Sequence, residues 1–286
     1  MGTCSMYGDT AKWDKIIHRP LPGWYSDMKF GVFIHWGPYS VPSYGTEWFW
    51  HNYQCSGPGD PGTKGKPNSA SVRAFADKNF PGVKSDYPQY ADMFHAELYD
   101  ATDWVTAIKG SGAQYVLPVA KHHDVSTHSC SESCFFVPIE RAADCVVPSA
   151  RVPCRRPLQG FCMWDARDTA PDWNAAQVGP ERDVLTELYN ASVAGGLPFG
   201  IYYSQGEWFD SDFVSDAKSN FTATSFVESK LVPQRLDLVH RFSKAILWHT
   251  DGGWMAPDQY WNNLDWLTYL YEESPLKSKV VSCNSM

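Results

Sequence analysis

The sequence predicts an α/β fold of the (β/α)8-like (TIM) barrel type, and it holds only the N-terminal part of such a barrel. Short apolar runs alternate along the chain with helical patterns, which is the order of parallel βα units. Each run ends in polar side chains that have little to do in a core. Because a barrel collects the C-terminal ends of its strands around one active-site rim, this order favours a barrel. The alternative, a doubly wound sheet, would usually carry a Gly-rich phosphate turn, which the sequence does not show.

Four apolar runs have the length of strands, and a fifth lies near the C-terminus. Their apolar residues are nearly continuous, as expected for strands that are covered on both faces. Four or five of the eight strands of a barrel are therefore predicted. In order they are KFGVFIHWG (29–37), AQYVLPVAKHH (113–123), LPFGIYYS (197–204), KAILWHTDGGW (244–254) and SKVVSCN (278–284).

Helical patterns lie between these runs. The first begins after Asp100 or Thr102, either of which could be its N-cap, and it stops at Gly110. Two longer patterns cover 179–196 and 228–242. Each of the three precedes a predicted strand, which supports βα units.

The amino-acid composition limits the classes of function that the chain can have. With 286 residues, of which 43% are hydrophobic, the chain can bury a core. The net charge of −8 comes from dispersed Asp and Glu, and no Lys/Arg cluster interleaves with aromatics, so no nucleic acid partner is expected. The 13 Trp include candidates for stacking on sugar rings, although packing in the core would account for most of them.

Signals for location are mixed. No apolar run approaches the roughly 18 residues of a membrane span, and the first ten residues show no signal peptide, so no membrane partner is expected. Two N-glycosylation acceptors, at Asn190 and Asn220, fit a secreted glycoprotein. Of the eight cysteines, four crowd into 130–154, which indicates that this part differs in origin from the rest.

Five ordered segments carry a more specific pattern, and together they resemble family 29 of the glycoside hydrolases, the α-L-fucosidases. The resemblance covers nearly all of 11–281 except one block. It implies a (β/α)8-like barrel followed by a β-sandwich, and retaining hydrolysis of terminal α-L-fucose from glycoconjugates. The segments are RPLPGWYSDMKFGVFIHWGPYSVPSYGTEWFWHNYQ, WVTAIKGSGAQYVLPVAKHHD, GPERDVLTEL, GLPFGIYYSQGEWF and ILWHTDGGWMAPDQYWNNLDWLTYLYEESPLKSKVV.

The resemblance also implies the setting of the reaction. No cofactor and no metal are expected, the partners are fucosylated glycans or glycoproteins, and the location is lysosomal or secreted. A homo-oligomer is allowed for the full-length form. The barrel half and β-sandwich that follow in the family are predicted to be absent from these 286 residues.

The resemblance assigns the catalytic nucleophile to Asp251, which a strand end would aim at the sugar. The alternative without the resemblance is that Asp251 is an N-cap or turn residue before Gly252 and Gly253. His249 and Thr250 separate it from Trp248, where the family usually has one residue, and a one-residue slip reverses a side chain unless a bulge absorbs it. A retaining enzyme needs a second carboxyl group about 5.5 Å from the first. The family's acid/base Glu matches no residue here, so we predict that the chain on its own is inactive or a weak sugar binder.

Sugar recognition follows by the same resemblance. Imidazoles can donate and accept hydrogen bonds, a Glu accepts from two hydroxyls, and indoles cover an apolar sugar face. Tyr203, next to one of these positions, could instead point into the barrel core. The predicted substrate-binding residues are His35, Glu47, Trp48, His122, His123 and Tyr202, with Trp254 as a further stacking candidate.

The block from Val125 to Gln159 does not fit the family. When it is removed, KHHDGFCMWDARDTAPDWN reads as uninterrupted family sequence. Val-Ser can be encoded GTG AGT, a preferred intron start, and Gln can be encoded CAG, a preferred intron end. We therefore interpret the block as an in-frame intron, and a second one starting at Val281-Ser282 would explain where the resemblance stops.

Other interpretations stay open. His122 and His123 could bind zinc together with His128, Cys130 and Cys134, or the block's cysteines could form disulfides. For the function, the alternatives are a non-catalytic fucose-binding fragment and a related barrel glycosidase that acts on another sugar.

Overall fold

The computed structural model describes residues 10–54, 69–83, 87–125, 160–207 and 210–284. One six-stranded sheet organises them, and five of its strands are parallel neighbours in the order β1-β2-β4-β5-β6. All five predicted strands are confirmed, and the parallel α/β class with them. The strands are β1 (Gly31–Ile34), β2 (Tyr115–Val125), β3 (Gly160–Cys162), β4 (Gly200–Ser204), β5 (Leu247–Asp251) and β6 (Val281–Asn284).

The third strand, β3, was not predicted. It has three residues and pairs antiparallel with the end of β2, so that Val125 lies opposite Gly160 and Lys121 opposite Cys162. A run this short carries no periodicity that a sequence pattern could reveal. The pair brings the residues on either side of 126–159 next to each other.

Eleven helices are assigned in the described ranges, several of them short. Asp100 is the N-cap of α6, since its carboxylate accepts from the backbone N–H groups of Thr102 and Asp103. They are α1 (Thr10–Ile17), α2 (Gly23–Asp27), α3 (Phe49–Gln54), α4 (Ser69–Asn79), α5 (Pro88–Asp92), α6 (Ala101–Gly110), α7 (Val184–Ala194), α8 (Ser211–Lys218), α9 (Val232–Arg241), α10 (Asp258–Trp261) and α11 (Asn263–Glu272). None of these helices has both the length and the apolar character to cross a bilayer.

The two faces of the sheet bury different sets of side chains. Because successive residues of a strand point to opposite faces, Tyr203 joins the core between sheet and helices, whereas Tyr202 belongs to a small inner cluster. Tyr203 therefore does not point into the barrel interior, where it was expected as an alternative. The inner cluster consists of Leu117, Val119, Tyr202, Leu247 and Val281.

The predicted intron-derived block covers 125–159. All of it except Val125 lies outside the described residues. The alternatives that involve His128, Cys130 and Cys134 lie there as well. The inner face of the sheet and the ends of its strands lie within the described part.

Candidate active site

The predicted site residues converge at the C-terminal ends of the strands. His122 and His123 lie on β2, Tyr202 on β4 and Asp251 at the end of β5, while His35 directly follows β1. The remaining three come from connecting segments: Glu47 and Trp48 precede α3, and Trp254 lies in a 3₁₀ turn after β5. Different strands thus supply one site, as the barrel prediction requires.

Asp251 is held by three hydrogen-bond donors. Its Oδ2 accepts from the Tyr202 hydroxyl at 2.5 Å and faces His123 Nε2 at 3.4 Å, while Oδ1 accepts from the backbone N–H of Gly252 at 2.7 Å. Burial alone would raise the pKa of Asp251, but the contacts with His123, Tyr202 and Gly252 hold that pKa well below its ordinary value. Asp251 is therefore a carboxylate at neutral pH.

The direction of Asp251 follows from a regular strand. The pairing of β4 with β5 runs without a bulge, and Ser204 lies opposite Asp251. Every second residue of β5 faces the inner side of the sheet. Leu247 belongs to the inner cluster and His249 stacks on Tyr202, so Asp251 lies on the same face. The spacing of Trp248 and Asp251 is thus accommodated without an irregularity in β5.

His123 connects Asp251 to the backbone. The ring is 1% exposed, and its Nδ1 lies 3.0 Å from the carbonyl oxygen of Gly206. A carbonyl oxygen only accepts, so Nδ1 donates to it, and Nε2 faces the Asp251 carboxylate, which also only accepts. Both ring nitrogens of His123 therefore lie against acceptors, which fixes the orientation of the ring.

His122 differs from its neighbour. It is buried, and its ring centroid lies 4.8 Å from that of His123, 5.8 Å from His35 and 6.2 Å from Tyr202. Burial, followed by the nearby His123 and His35, lowers the pKa of His122 well below its ordinary value. A neutral ring can both donate to and accept from a sugar hydroxyl.

Glu47 completes this side of the site. A nitrogen of His35, one of His122 and a carboxylate oxygen of Glu47 all lie within 4.8 Å of one another. His35 is exposed and Glu47 is half-buried, so the group is open to solvent. These three are the residues of the described part that could hold a metal ion.

Two indoles stand at the mouth of the site. The rings of Trp48 and Trp254 are parallel within 7°, with centroids 6.4 Å apart, and Trp48 also lies edge-on to His123. Trp254 is 48% exposed, unlike most Trp of the chain, which pack in the core. An exposed indole face next to polar strand ends is suited to an apolar sugar face.

A buried ion pair, not predicted from the sequence, lies beneath the site. Lys121 on β2 contacts the Glu207 carboxylate, both side chains are 0% exposed, and the other Glu207 oxygen accepts from the Gly160 N–H at 2.7 Å. Lys121 also donates to the Tyr203 hydroxyl at 3.1 Å. Both carboxylate oxygens of Glu207 are therefore bonded within this network, and Glu207 does not face the site as a free acid.

His249 was also missed. Its ring stacks on Tyr202 with centroids 5.3 Å apart, and its Nδ1 lies 2.9 Å from the thiol sulfur of Cys283 on β6. Its position at a strand end next to Asp251 was the available signal, but the family pattern assigns no role to it. His249 extends the aromatic wall of the inner face toward β6.

A carboxylate, several imidazoles and two indoles lie together at the C-terminal ends of parallel strands, which is the place of the active site in enzymes of the barrel class. The family model for α-L-fucosidase matches residues 5–133 and 158–285. The chain belongs to the α-L-fucosidase family. The model leaves 134–157 unmatched.

Individual relatives agree with this assignment. Tissue α-L-fucosidase of Rattus norvegicus is 34% identical over 272 residues, which cover 95% of this chain and 48% of the relative. Tissue α-L-fucosidase of Homo sapiens is 33% identical over 272 residues, with 95% and 48% covered. The chain thus spans about half the length of the curated relatives it matches. These relatives are named as α-L-fucosidases, which are glycoside hydrolases.

Solved structures support the fold. The α-fucosidase of Thermotoga maritima in complex with a mechanism-based inhibitor has a TM-score of 0.65 at 24% identity, and the match covers 94% of this chain and 55% of that one. An α-L-fucosidase at 25% identity gives a TM-score of 0.61. The described sheet is therefore that of the fucosidase barrels, over about half of their length.

Proposed function

We propose that this chain forms the N-terminal part of the catalytic barrel of a retaining α-L-fucosidase, which removes terminal α-L-fucose from glycoconjugates. The observation that carries the proposal is the Asp251 carboxylate, which three donors hold ionised at a strand end. An ionised, oriented carboxylate is what a retaining glycosidase needs as its nucleophile.

In the proposed reaction, a carboxylate oxygen of Asp251 attacks the anomeric carbon of fucose. The glycosidic C–O bond breaks, and the leaving oxygen takes a proton from a carboxylic acid. Water then attacks the fucosyl-enzyme ester, gives up a proton to the same acid/base group, and releases Asp251. Tyr202 and His123 keep Asp251 ionised before attack, and they stabilise it again as it leaves.

The sugar hydroxyls are assigned to the polar groups around Asp251. Tyr202 and the imidazoles of His35, His122 and His123 can donate, and Glu47 can accept from two hydroxyls. Trp48 and Trp254 are placed against the apolar C6 methyl face. The preference for fucose over galactose rests on the resemblance.

The acid/base residue is not assigned to any described residue. Glu207 is paired with buried Lys121, and Glu47 is used for sugar binding in this proposal. We therefore propose that the 286-residue polypeptide, tested alone, binds fucose but turns it over poorly.

The setting is proposed by resemblance to relatives named as tissue and plasma α-L-fucosidases. The partners would be fucosylated glycans or glycoproteins, and the location lysosomal or secreted. Asn190 and Asn220, the two predicted glycosylation acceptors, are both exposed. Asn190 lies within α7, and Asn220 follows α8 with a φ of 55°.

The proposal is tested by two measurements on the purified chain. L-Fucose is expected to change the fluorescence of Trp48 and Trp254 saturably, and L-galactose, which carries a hydroxymethyl group in place of the methyl, should bind more weakly. Release of p-nitrophenol from the α-L-fucoside should stay near background. Asp251→Asn is expected to retain binding.

The outcomes separate the alternatives. Strong turnover that Asp251→Asn abolishes would support the nucleophile and contradict the proposed inactivity of the chain alone. Tighter binding of L-galactose than L-fucose would favour a glycosidase for another sugar. A chain that binds neither sugar would contradict the proposal altogether.

A further inference from the structure

We propose that His35, Glu47 and His122 bind a divalent transition-metal ion of the Zn²⁺ class, and that this ion excludes sugar from the pocket. Two imidazole nitrogens and one carboxylate oxygen converge within 4.8 Å of one another. The ion site itself does not depend on the proposed fucosidase reaction, because an ion can bind in the absence of any sugar, whereas the exclusion of sugar rests on the proposed function.

The donor set selects the ion. Two His and one Glu form a ligand set of catalytic zinc sites, with a further position left for water. Mixed nitrogen and oxygen donors favour Zn²⁺, Ni²⁺ and Cu²⁺, whereas Ca²⁺ and Mg²⁺ prefer sites made of oxygen alone. The nitrogen and oxygen donors of the three side chains therefore select a transition-metal ion.

The elements that carry these residues make the site partly preformed. His122 is 2% exposed, and its ring centroid lies 5.4 Å from that of Tyr39, so packing restricts the movement of the His122 ring. His35 packs on Phe33 and Tyr202, with centroids 4.5 Å and 5.4 Å away. His35 is nevertheless exposed, which leaves an entry path for the ion and freedom for this ring to adjust.

The distances require only small movements. Ligand atoms about 2.1 Å from a tetrahedral ion lie roughly 3.4 Å apart, somewhat closer than the upper limit of 4.8 Å observed among these groups. Rotation of the exposed His35 and the half-buried Glu47 side chains can close this difference. The buried His122 need not move.

Occupancy by an ion conflicts with sugar binding. The same imidazoles and carboxylate are the groups proposed to hold the fucose hydroxyls, and a metal would engage their lone pairs. The ion would sit beside Tyr202, whose hydroxyl contacts Asp251. Zn²⁺ and fucose are therefore expected to compete for the pocket.

Isothermal titration of the full chain with ZnCl₂, without sugar, tests the site. The variants are Glu47→Gln, which keeps the shape of the side chain, and His35→Ala, which changes an exposed residue. Since loss of an outer-shell partner already costs roughly 10- to 100-fold in metal affinity, each variant should bind Zn²⁺ at least about 100-fold more weakly at this site. MgCl₂ should give no comparable binding.

Two controls identify where the ion goes. His18→Ala removes an exposed histidine at the end of α1 and should leave the Zn²⁺ affinity unchanged. A His128→Ala, Cys130→Ser, Cys134→Ser variant removes the other histidine and cysteine ligands next to the site in sequence, and it should also keep the affinity. Circular dichroism of each variant checks that the fold is retained.

The results decide as follows. Unchanged Zn²⁺ affinity in both Glu47→Gln and His35→Ala, or loss of binding only in the triple variant, overturns the site. Weakened Zn²⁺ binding in the presence of excess L-fucose supports competition. If Zn²⁺ binds at the three residues but fucose binds nowhere, the metal site stands and the fucosidase proposal fails.

Discussion

The Tyr202 hydroxyl donates to Oδ2 of Asp251 across the neighbouring strands β4 and β5, with 2.5 Å between the oxygens. In register, Tyr202 lies opposite His249, two residues before Asp251 on the same face of β5. The bond therefore runs diagonally along the inner face. It holds the carboxylate in place before any substrate arrives.

Tyr202→Phe is expected to destabilise the protein at neutral pH by about 1.5–3 kcal/mol, the usual contribution of a hydrogen bond to a charged group. The lost donor should raise the pKa of Asp251 from its lowered value. A carboxyl whose folded pKa is lowered contributes stability above its unfolded pKa of about 4, and that stability disappears as the pH falls. The difference between variant and wild type in urea unfolding should therefore persist as the pH falls until it reaches the folded pKa of Asp251 in the variant, and it should be smaller at pH 2 than at pH 7.

Tyr189→Phe is the matched control for this prediction. Its hydroxyl accepts from the Lys244 N–H, and among the described residues no hydrogen bond joins it to a carboxylate. Its effect on the free energy of unfolding should be the same at both pH values. An Asp251 pKa, followed by NMR, that is the same in Tyr202→Phe as in the wild type would show that Tyr202 does not stabilise the ionised Asp251.

Glu207→Gln is expected to lower the free energy of unfolding by about 3–5 kcal/mol, because it leaves the Lys121 charge buried without its partner. The exposed pair of Arg182 and Glu187 provides the control, and Glu187→Gln should cost less than about 1 kcal/mol. Thermal and urea unfolding measure both. Replacing Lys121 and Glu207 together by Met should cost less than Glu207→Gln alone, and a double variant that is less stable would contradict this account.

Gly252→Ala should disturb the site as well as the stability. Gly252 has a φ of 77°, which favours glycine, and an added Cβ would lie 2.7 Å from His123 Cε1. We expect a loss of about 1–3 kcal/mol, together with weaker fucose binding, because His123 must move. Gly110→Ala at the end of α6, where a Cβ meets nothing within 4 Å, should stabilise by about 0.5–1 kcal/mol. Unfolding curves and fluorescence titrations of both variants decide, and an unchanged fucose affinity in Gly252→Ala would argue against a role for His123 in binding.

Removal of 125–159, joining Asp124 directly to Gly160, should leave the sheet and the site intact. Val125 and Gly160 are opposite each other in the antiparallel pair of β2 and β3, so the ends to be joined are already adjacent. We expect the free energy of unfolding not to fall, because a shorter loop has a smaller closure entropy cost, by about 0.6 kcal/mol for each halving of its length. A deletion of equal length, 121–155, removes Lys121, His122 and His123 and should abolish folding.

The two deletion variants are compared by their fucose binding, which is measured by fluorescence. A 125–159 deletion that fails to fold would contradict the prediction. Sequencing the mature transcript tests the origin of the block separately. A message that retains the codons for 125–159 would refute the intron interpretation without affecting the deletion experiment.

The five parallel strands could be predicted from the sequence because their apolar runs are nearly continuous and flanked by polar groups. The same continuity hid which face each residue takes, since both faces are buried, and Tyr202 and Tyr203 could be told apart only in the structure. The predicted site residues rested on resemblance combined with strand ends. The structure brings them together, while their roles remain proposals.

The Lys121 and Glu207 pair could not be predicted. The two residues are 86 positions apart, and each looks like an ordinary charged residue near a strand end. Their pairing depends on the parallel register of β2 with β4, which a single sequence does not encode as a local pattern. Long-range polar networks of this kind need the tertiary structure.

The antiparallel pair of β2 and β3, which places Gly160 opposite Val125, has a practical consequence. The N–H of Gly160 is bonded to Glu207, and its Cα has no room for a side chain beside the His122 carbonyl, so the chain must return to this point whatever lies before it. Segments of unrelated length or origin could therefore be exchanged between Val125 and Gly160. Because His122 and His123 lie only two or three residues away on β2, a ligand-responsive segment inserted there would turn the sugar pocket into the reporting half of a biosensor.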